Sequence, residues 1–389
     1  MMKIAIFTNN YLPNPYGVSG SIESFRKELE KRGNTVYVFA PKFKGYADEN
    51  PNVHRYASMD FKFRGIRFPI GIPFSFKIHK ILKDLEIDVI HAQHPNLLGW
   101  EARRWAKKKN VPLVFTWHTL YDKYAHFFPL IPEKISAWWT IRNAVKYANK
   151  ADQVVVPTPS VKKIIQNWGV CNPNIVAVAT GVETDLFGEA QREEFRKKYD
   201  IAGDEIALLL LSRLTAEKNV QFLVRAIVKV LRKNAKAKFI LAGEGDELAK
   251  LKEIIQKGGV EKQVIHQGVI PKELTKNIYA AGDVFVYASR SETQGMVISE
   301  AMYAGLPIVA VLASGIRDLV MNQVSGLLVK DNEDAFASAV QKLIDDKALR
   351  MKFSENARKI AHAHYTSFVC AQKMAAAYEE AIRRKTSKS

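Results

Sequence analysis

Two carboxylates, Glu292 and Glu300, lie in the segment Ser289-Arg-Ser-Glu292-Thr-Gln-Gly295-Met-Val-Ile-Ser-Glu300-Ala-Met-Tyr-Ala-Gly305. The apolar run Val284 to Ala288 before it reads as a buried strand. Gly295 lets the chain turn tightly into a helix, and Gly305 ends that helix. A helix N-terminus offers unpaired backbone N–H groups to a phosphate. Glu292, just outside the helix, is placed to accept hydrogen bonds from hydroxyls on whatever the phosphate carries. Glu300, about two turns further along, is placed to hold a ribose diol. The plainer alternatives are a dipole-complementing acid at a helix start and a solvated helix residue. For Glu300 the neighbours Ile298, Ala301 and Met302 argue burial, and a buried carboxylate needs partners.

Other loops offer matching chemistry. Ser212-Arg213-Leu-Thr-Ala-Glu-Lys218-Asn219 follows the strand Ala207 to Leu211. Arg213 offers a planar fork and Lys218 a point charge, both suited to diphosphate oxygens, with solvated surface charge as the alternative. Near the N-terminus, Asn10 to Gly20 leads into a helix expected from Ser21 to Arg32. Gly17 and Gly20 allow close backbone approach there, and a simple turn with a helix cap is the alternative. The loop is not a GxGxxG fingerprint, which disfavours simple dinucleotide binding.

These loops need a scaffold, and strands alternate with helices almost from the start. Ile4 to Thr8, a helix closed by Gly33, and Val36 to Ala40 form a βαβ unit, the seed of a parallel, doubly wound sheet. Lys77 to Leu85 reads as a helix; Val89 to His91, Leu113 to Thr116 and Gln153 to Val156 read as strands. A second series begins after the charged stretch Glu189 to Asp200, with strands Ala207 to Leu211, Phe239 to Ala242, Val264 to Gln267, Val284 to Ala288 and Ile308 to Val311. The expectation is an α/β chain of two Rossmann-like domains facing a central cleft. Residues 1–188 and 189–365 form the domains, and residues 366–389 form a C-terminal helix free to return to the first. Ligands of such sheets bind beyond the carboxyl ends of the strands.

The 389 residues suit two or three domains. An apolar fraction of 47% excludes disorder as the dominant state. Only two cysteines, Cys171 and Cys370, exclude a disulfide scaffold and fit a reducing compartment. No apolar run approaches the ~18 residues of a membrane span, and the first residues read as a core strand rather than a signal peptide. The net charge of +18 is spread over both halves, since residues 1–190 hold 26 basic and 16 acidic side chains. Such a field draws nucleic acid, anionic lipid or phosphorylated substrates. Nucleic acid is disfavoured: the basic residues sit within α/β elements, and no helix-turn-helix, RRM or zinc pattern occurs.

The Glu292–Glu300 spacing, with the flanking Ser-Glu-Thr-Gln-Gly, resembles the E-x7-E arrangement of retaining GT-B glycosyltransferases of family 4. Further matches fall in order along nearly the whole chain: the Gly17–Gly20 loop, Trp117-His118-Thr119, Thr180-Gly181-Val182, and Arg213 with Lys218-Asn219. The resemblance implies a sugar-nucleotide donor held by the C-terminal domain. Arg213 and Lys218 would then neutralise its diphosphate, and Glu300 would bind the ribose. Glu292, Gln294 and Gly295, with Met296 and Val297, would line the donor site. His118 would touch the transferred sugar, and Gly17 and Gly20 would approach the phosphates. Glu292, His118, Arg213 and Lys218 are the expected catalytic set. No cofactor beyond the donor is implied, and no D-x-D loop for a metal is evident.

Within that family the chain looks like bacterial diacylglycerol glucosyltransferases, through Thr116 to His126 with Tyr121, Tyr124 and His126. That likeness implies UDP-glucose as donor, a lipid acceptor, and a cytoplasmic enzyme on the inner face of the cell membrane. The residues add independent support. Phe61, Phe63, Phe68, Phe74 and Phe76 interleave with Lys62, Arg64, Arg67, Lys77 and Lys80, and Trp100, Arg103, Arg104, Lys107 and Lys108 share a helix face. Cations attract an anionic leaflet and aromatic rings settle at its interface; a solvated basic helix with core phenylalanines is the alternative. A GDP-sugar donor and a soluble sugar, polysaccharide or phosphoinositide acceptor remain open.

Overall fold

The computed structural model describes residues 1–14, 17–63, 66–121 and 132–387, the side chains of 61–63, 66–68 and 133 apart. Two compact units emerge, one of residues 1–181 with 367–389, the other of residues 182–366. In the first, parallel strands β1 (Lys3–Phe7), β2 (Thr35–Pro41) and β3 (Val53–Tyr56) are followed by an antiparallel hairpin, β4 (Ser58–Phe63) and β5 (Ile66–Gly71). Then come β6 (Val89–Ala92), β7 (Leu113–Thr116), β8 (Gln153–Val156) and β9 (Ile175–Ala177). The sheet order is β3-β2-β1-β6-β7-β8-β9. Its helices are α1 (Gly17–Lys31), α2 (Phe76–Asp84), α3 (Leu98–Lys109), α4 (Glu133–Ala148) and α5 (Pro159–Asn167). The central strands β1, β6, β7 and β8 are buried on both faces, as parallel strands are. Ile4, Ile6, Val36, Val38 and Val114 pack into one core, and Ala5, Phe7, Phe39, Ile90 and Phe115 into the other.

The second unit repeats the design: α6 (Arg192–Lys198), then β10 (Ile206–Leu211), α7 (Val220–Leu231), β11 (Ala237–Ala242), α8 (Leu248–Gly258) and β12 (Val264–Gly268). It continues through α9 (Thr275–Ala281), β13 (Val284–Tyr287), α10 (Met296–Tyr303), β14 (Ile308–Val311), α11 (Ile316–Leu319), β15 (Gly326–Val329), α12 (Glu333–Asp345) and α13 (Lys347–His364). The order β12-β11-β10-β13-β14-β15 reverses between β10 and β13, so a switch point lies beside the Arg213 and Glu292 loops. The last helix, α14 (Ser367–Thr386), rejoins the first unit. Its Cys370, Met374, Tyr378 and Ala381 pack with Ile22 and Leu29 of α1 and with Ile4 and Val36 of the sheet.

One expectation is corrected. The α1 helix begins at Gly17, so Gly17 and Gly20 occupy its first turn rather than a loop before Ser21. The first N–H groups of a helix have no intrahelical acceptor, so glycine is tolerated there. A Cβ at either glycine would meet nothing within 4 Å, which leaves the turn open to a ligand.

Candidate active site

In the second unit, three strand-end loops assemble around Glu292. Tyr287 ends β13, and its hydroxyl donates to Glu292 Oε1 at 2.7 Å. Lys218 Nζ donates to the same oxygen at 2.5 Å. The lysine comes from a 3-10 turn, Ala216–Lys218, which ends at Asn219 with φ 57°. Asn219 Nδ2 donates to the Ala288 carbonyl at 3.3 Å, tying this loop to the end of β13. Both partners of the pair are largely buried, at 14% and 11% side-chain exposure. Burial alone would raise the Glu292 pKa. The Lys218 charge and hydrogen bonds from Lys218, Tyr287 and Ser289 outweigh it and hold the carboxyl below its usual range. Glu292 is therefore an ionised acceptor, and Lys218 is partly spent on it. Arg213 is 43% exposed and lies 3.2 Å from Glu217, so it keeps most of its fork for another anion.

Glu300 sits about one turn into α10, among Ile298, Ala301 and Met302, which are all buried as expected. Its partner is the Tyr279 hydroxyl of α9, which donates to Oε2 at 2.8 Å. Desolvation dominates here and pushes the Glu300 pKa up to about 7, opposed by the Tyr279 hydrogen bond. Gly295, at φ 88°, opens α10, whose first N–H groups are those of Met296 and Val297. Gln294 is buried.

Several residues of this site were not singled out from the sequence. Ser314 Oγ and the Gly315 N–H both donate to the Glu292 carbonyl, at 2.9 and 3.0 Å. A Cβ at Gly315 would lie 2.5 Å from the Thr293 carbonyl, so only glycine fits. The turn after β11 is a second case: a Cβ at Gly243 would fall 1.8 Å from the Ser212 carbonyl, and one at Gly245 would fall 2.1 Å from that of Leu214. The Gly-Glu-Gly spacing after an apolar run was the available signal. Thr215 Oγ1 and Ser291 Oγ are buried with no hydrogen-bond partner among the described residues. Buried hydroxyls of this kind need an explanation, and both lie in the loops that present Lys218 and Glu292.

His118 belongs to the first unit, two residues beyond β7. Its Nε2–H donates to Gln93 Oε1 at 2.6 Å, and Gln93 Nε2 lies 3.2 and 3.3 Å from the two ring nitrogens of His91. His91 is fixed by Tyr378 Oη at 2.7 Å and Thr116 Oγ1 at 2.6 Å. Burial first, then the neighbouring His94 and His91, lowers the His118 pKa to about 3. A neutral His118 with its Nε2 proton committed leaves Nδ1 as the ring's free lone pair.

Tyr121 is half-buried against Trp117, with ring centroids 5.7 Å apart. Tyr124 and His126 lie outside the described residues. On α3, Trp100, Arg103, Arg104, Lys107 and Lys108 are all exposed. Phe74 and Phe76 are exposed too and stack edge-to-face at 5.0 Å. The sequence reading missed α4, which exposes Ile135, Trp138 and Trp139, with Arg142 over the Trp138 ring at 5.3 Å. Among the described residues no helix is long and apolar enough to cross a membrane, and no three His, Cys, Asp or Glu gather as a metal-ligand set.

The chain matches two family models, "Glycosyltransferase Family 4" over residues 15–186 and "Glycosyl transferases group 1" over residues 191–360. It is 32% identical over 365 residues to an alpha-monoglucosyldiacylglycerol synthase of Streptococcus pneumoniae, covering 88% of this chain and 78% of that one. It is 27% identical over 397 residues to a GDP-mannose-dependent alpha-mannosyltransferase of Mycobacterium tuberculosis, covering 100% and 99%. Among solved structures it resembles Anabaena HepE in complex with UDP, with a TM-score of 0.78 at 20% identity over 97% of this chain and 100% of that one. Sucrose-phosphate synthase of Thermosynechococcus elongatus superposes with a TM-score of 0.79 at 20% identity over 98% and 99%. Both neighbours share the GT-B fold of two parallel-sheet units.

Proposed function

The chain belongs to the group 1, family 4 glycosyltransferases, and from that premise we propose that it moves glucose from UDP-glucose to diacylglycerol at an anionic membrane surface, with retention of configuration. In this reading Arg213, Lys218 and the α10 N-terminus bind the diphosphate, and Glu300 takes the ribose. Departure of the diphosphate is assisted by those fixed positive charges and N–H dipoles. The acceptor hydroxyl attacks from the face the diphosphate leaves, its proton passing to a leaving phosphate oxygen. Glu292, Gln294 and Gly295 orient the sugar, and neutral His118 offers Nδ1 to a sugar hydroxyl. Gly17 and Gly20 are assigned to the phosphates. No metal is assigned a step, so turnover is expected to persist in EDTA.

The observation that carries the lipid acceptor is the exposed aromatic and cationic dress of the first unit: Trp100 with four cations on α3, and Ile135, Trp138 and Trp139 beside Arg142 on α4. Rings of this kind settle at the headgroup boundary while cations attract an anionic leaflet. Such an enzyme works peripherally, on the inner face of the cell membrane. The deciding experiment supplies UDP-glucose or GDP-mannose with vesicles of phosphatidylglycerol containing diacylglycerol, or with soluble sugars. Glucosylated diacylglycerol from UDP-glucose is expected. Transfer from GDP-mannose alone would favour the second reading, which the mycobacterial mannosyltransferase supports by matching the chain end to end.

A further inference from the structure

At the amino ends of β13 and β14, away from the donor loops, the second unit holds a cavity of about 380 Å³. Arg192, Lys347, Arg350 and Arg358 line it, with Ser354 and the Ala304–Gly305 turn at the end of α10. We propose that this cavity binds a small phosphate monoester, at a site separate from the sugar-nucleotide donor.

Two of these cations, Arg350 and Arg358, are held in place by backbone carbonyls rather than by carboxylates. Arg350 Nη1 donates to the Leu343 and Ile344 carbonyls at 2.6 and 3.1 Å. Arg358 lies flat over Gly305, where a Cβ would fall 2.5 Å from Nη2, and Gly305 is held at φ 84°. Carbonyls orient a guanidinium but leave it its full charge. Among the described residues, Lys347, Arg350 and Arg358 have no carboxylate partner. Asp283 also lines the cavity and receives Arg192 and Arg196, at 2.7 and 3.0 Å, so the charge of Arg192 is matched there. Asp346 accepts the Leu349 N–H at 2.8 Å, and Asp345 accepts Gln341 Nε2 at 2.8 Å. Lys347 and Arg350 occupy the first turn of α13, whose N-cap is Asp346. Together with Arg358 they offer a dianion with several acceptor oxygens charge-assisted hydrogen bonds. The volume admits a small ester as well as bare phosphate. The Tyr279 residue that lines the cavity also holds Glu300 through its hydroxyl, so the cavity adjoins the support of the ribose-binding carboxylate.

The monoester could arrive free or as a lipid headgroup, and two arms of one experiment separate these. Calorimetric titration of the full chain with sn-glycerol 3-phosphate is expected to show one saturable site. K347Q/R358Q, which changes two exposed side chains, should weaken it about tenfold or more, while R213Q leaves it unchanged. K347E is the second variant: an acid at that position favours the α13 dipole, so the fold is kept while the anion is repelled. In the other arm, a preference for phosphatidic acid vesicles over phosphatidylglycerol vesicles that K347E abolishes identifies a headgroup as the source. Binding equal in wild type and K347E, binding lost in R213Q, or no binding of either probe overturns the proposal.

Discussion

Lys218 Nζ and Glu292 Oε1 stand 2.5 Å apart across two loops separated by 74 positions in sequence, and both side chains are largely buried. The proposed diphosphate ligand and the proposed sugar ligand are thus one ion pair before any donor arrives. Removing one partner strands a buried charge, at a cost on the order of 3 kcal/mol, whereas removing both does not. K218M should therefore lower Tm more than K218M/E292Q does. Equal Tm values for the single and double variants would show that the pair is not coupled.

Glu292→Ala is expected to reduce kcat by two orders of magnitude or more while circular dichroism stays native. Near-normal turnover would remove Glu292 from the sugar site.

Glu300 gives stability a pH dependence of known sign. Its folded pKa, about 7, exceeds the ordinary glutamate value, so the folded chain holds a proton that the unfolded chain releases. This contribution is fully present below the unfolded pKa and is lost as pH rises through about 7. E300Q should melt with wild type near pH 4 and above it at pH 8. The KM for the donor should also fall in wild type between pH 6 and 8, as the proposed ribose ligand ionises, and stay flat in E300Q.

The His118 ring is held neutral, with a pKa of about 3. Its NMR resonances should not titrate between pH 5 and 8. Gln93→Ala releases the Nε2 proton and should lower kcat about tenfold with little change in Tm. A loss of Tm without a loss of kcat would make the Gln93 contact structural only.

Replacing Trp138 and Trp139 by Ser removes two exposed rings and no core contact that burial suggests. Co-sedimentation with phosphatidylglycerol vesicles should drop several-fold, while hydrolysis of the sugar nucleotide in solution is retained. Unchanged sedimentation would assign membrane contact to other residues.

What was legible in the sequence follows from the range of the interactions. Leu113 to Thr116, Gln153 to Val156 and Ile308 to Val311 could be read as strands because short apolar runs suffice to bury both faces of a parallel sheet. The position of Glu292 just before α10 was legible because Gly295 marks the turn locally. Its partner Lys218 was visible only as a cation in another loop, and Gly315 and Gly243 as ordinary glycines, because contact between loops depends on how distant strands pair. The hairpin β4–β5 escaped although its strands are neighbours, because its alternating aromatic and basic residues were read for membrane contact, and β3, β9 and β15 escaped as short strands at sheet edges. The rings on α4 were missed because its apolar residues suggest burial, yet Ile135, Trp138 and Trp139 face outward.

The return of α14 sets an order of assembly during synthesis. Residues 182–366 form a continuous unit that can close as soon as it clears the ribosome. The unit that starts the chain cannot, because Cys370, Met374, Tyr378 and Ala381 supply part of its core and Tyr378 steadies His91. At translation rates of ~5–20 residues per second, the first strands wait on the order of ten seconds or more for the helix that completes them. Residues 1–181 are made long before α14, so they carry an open apolar face until residues 367–386 emerge to cover it.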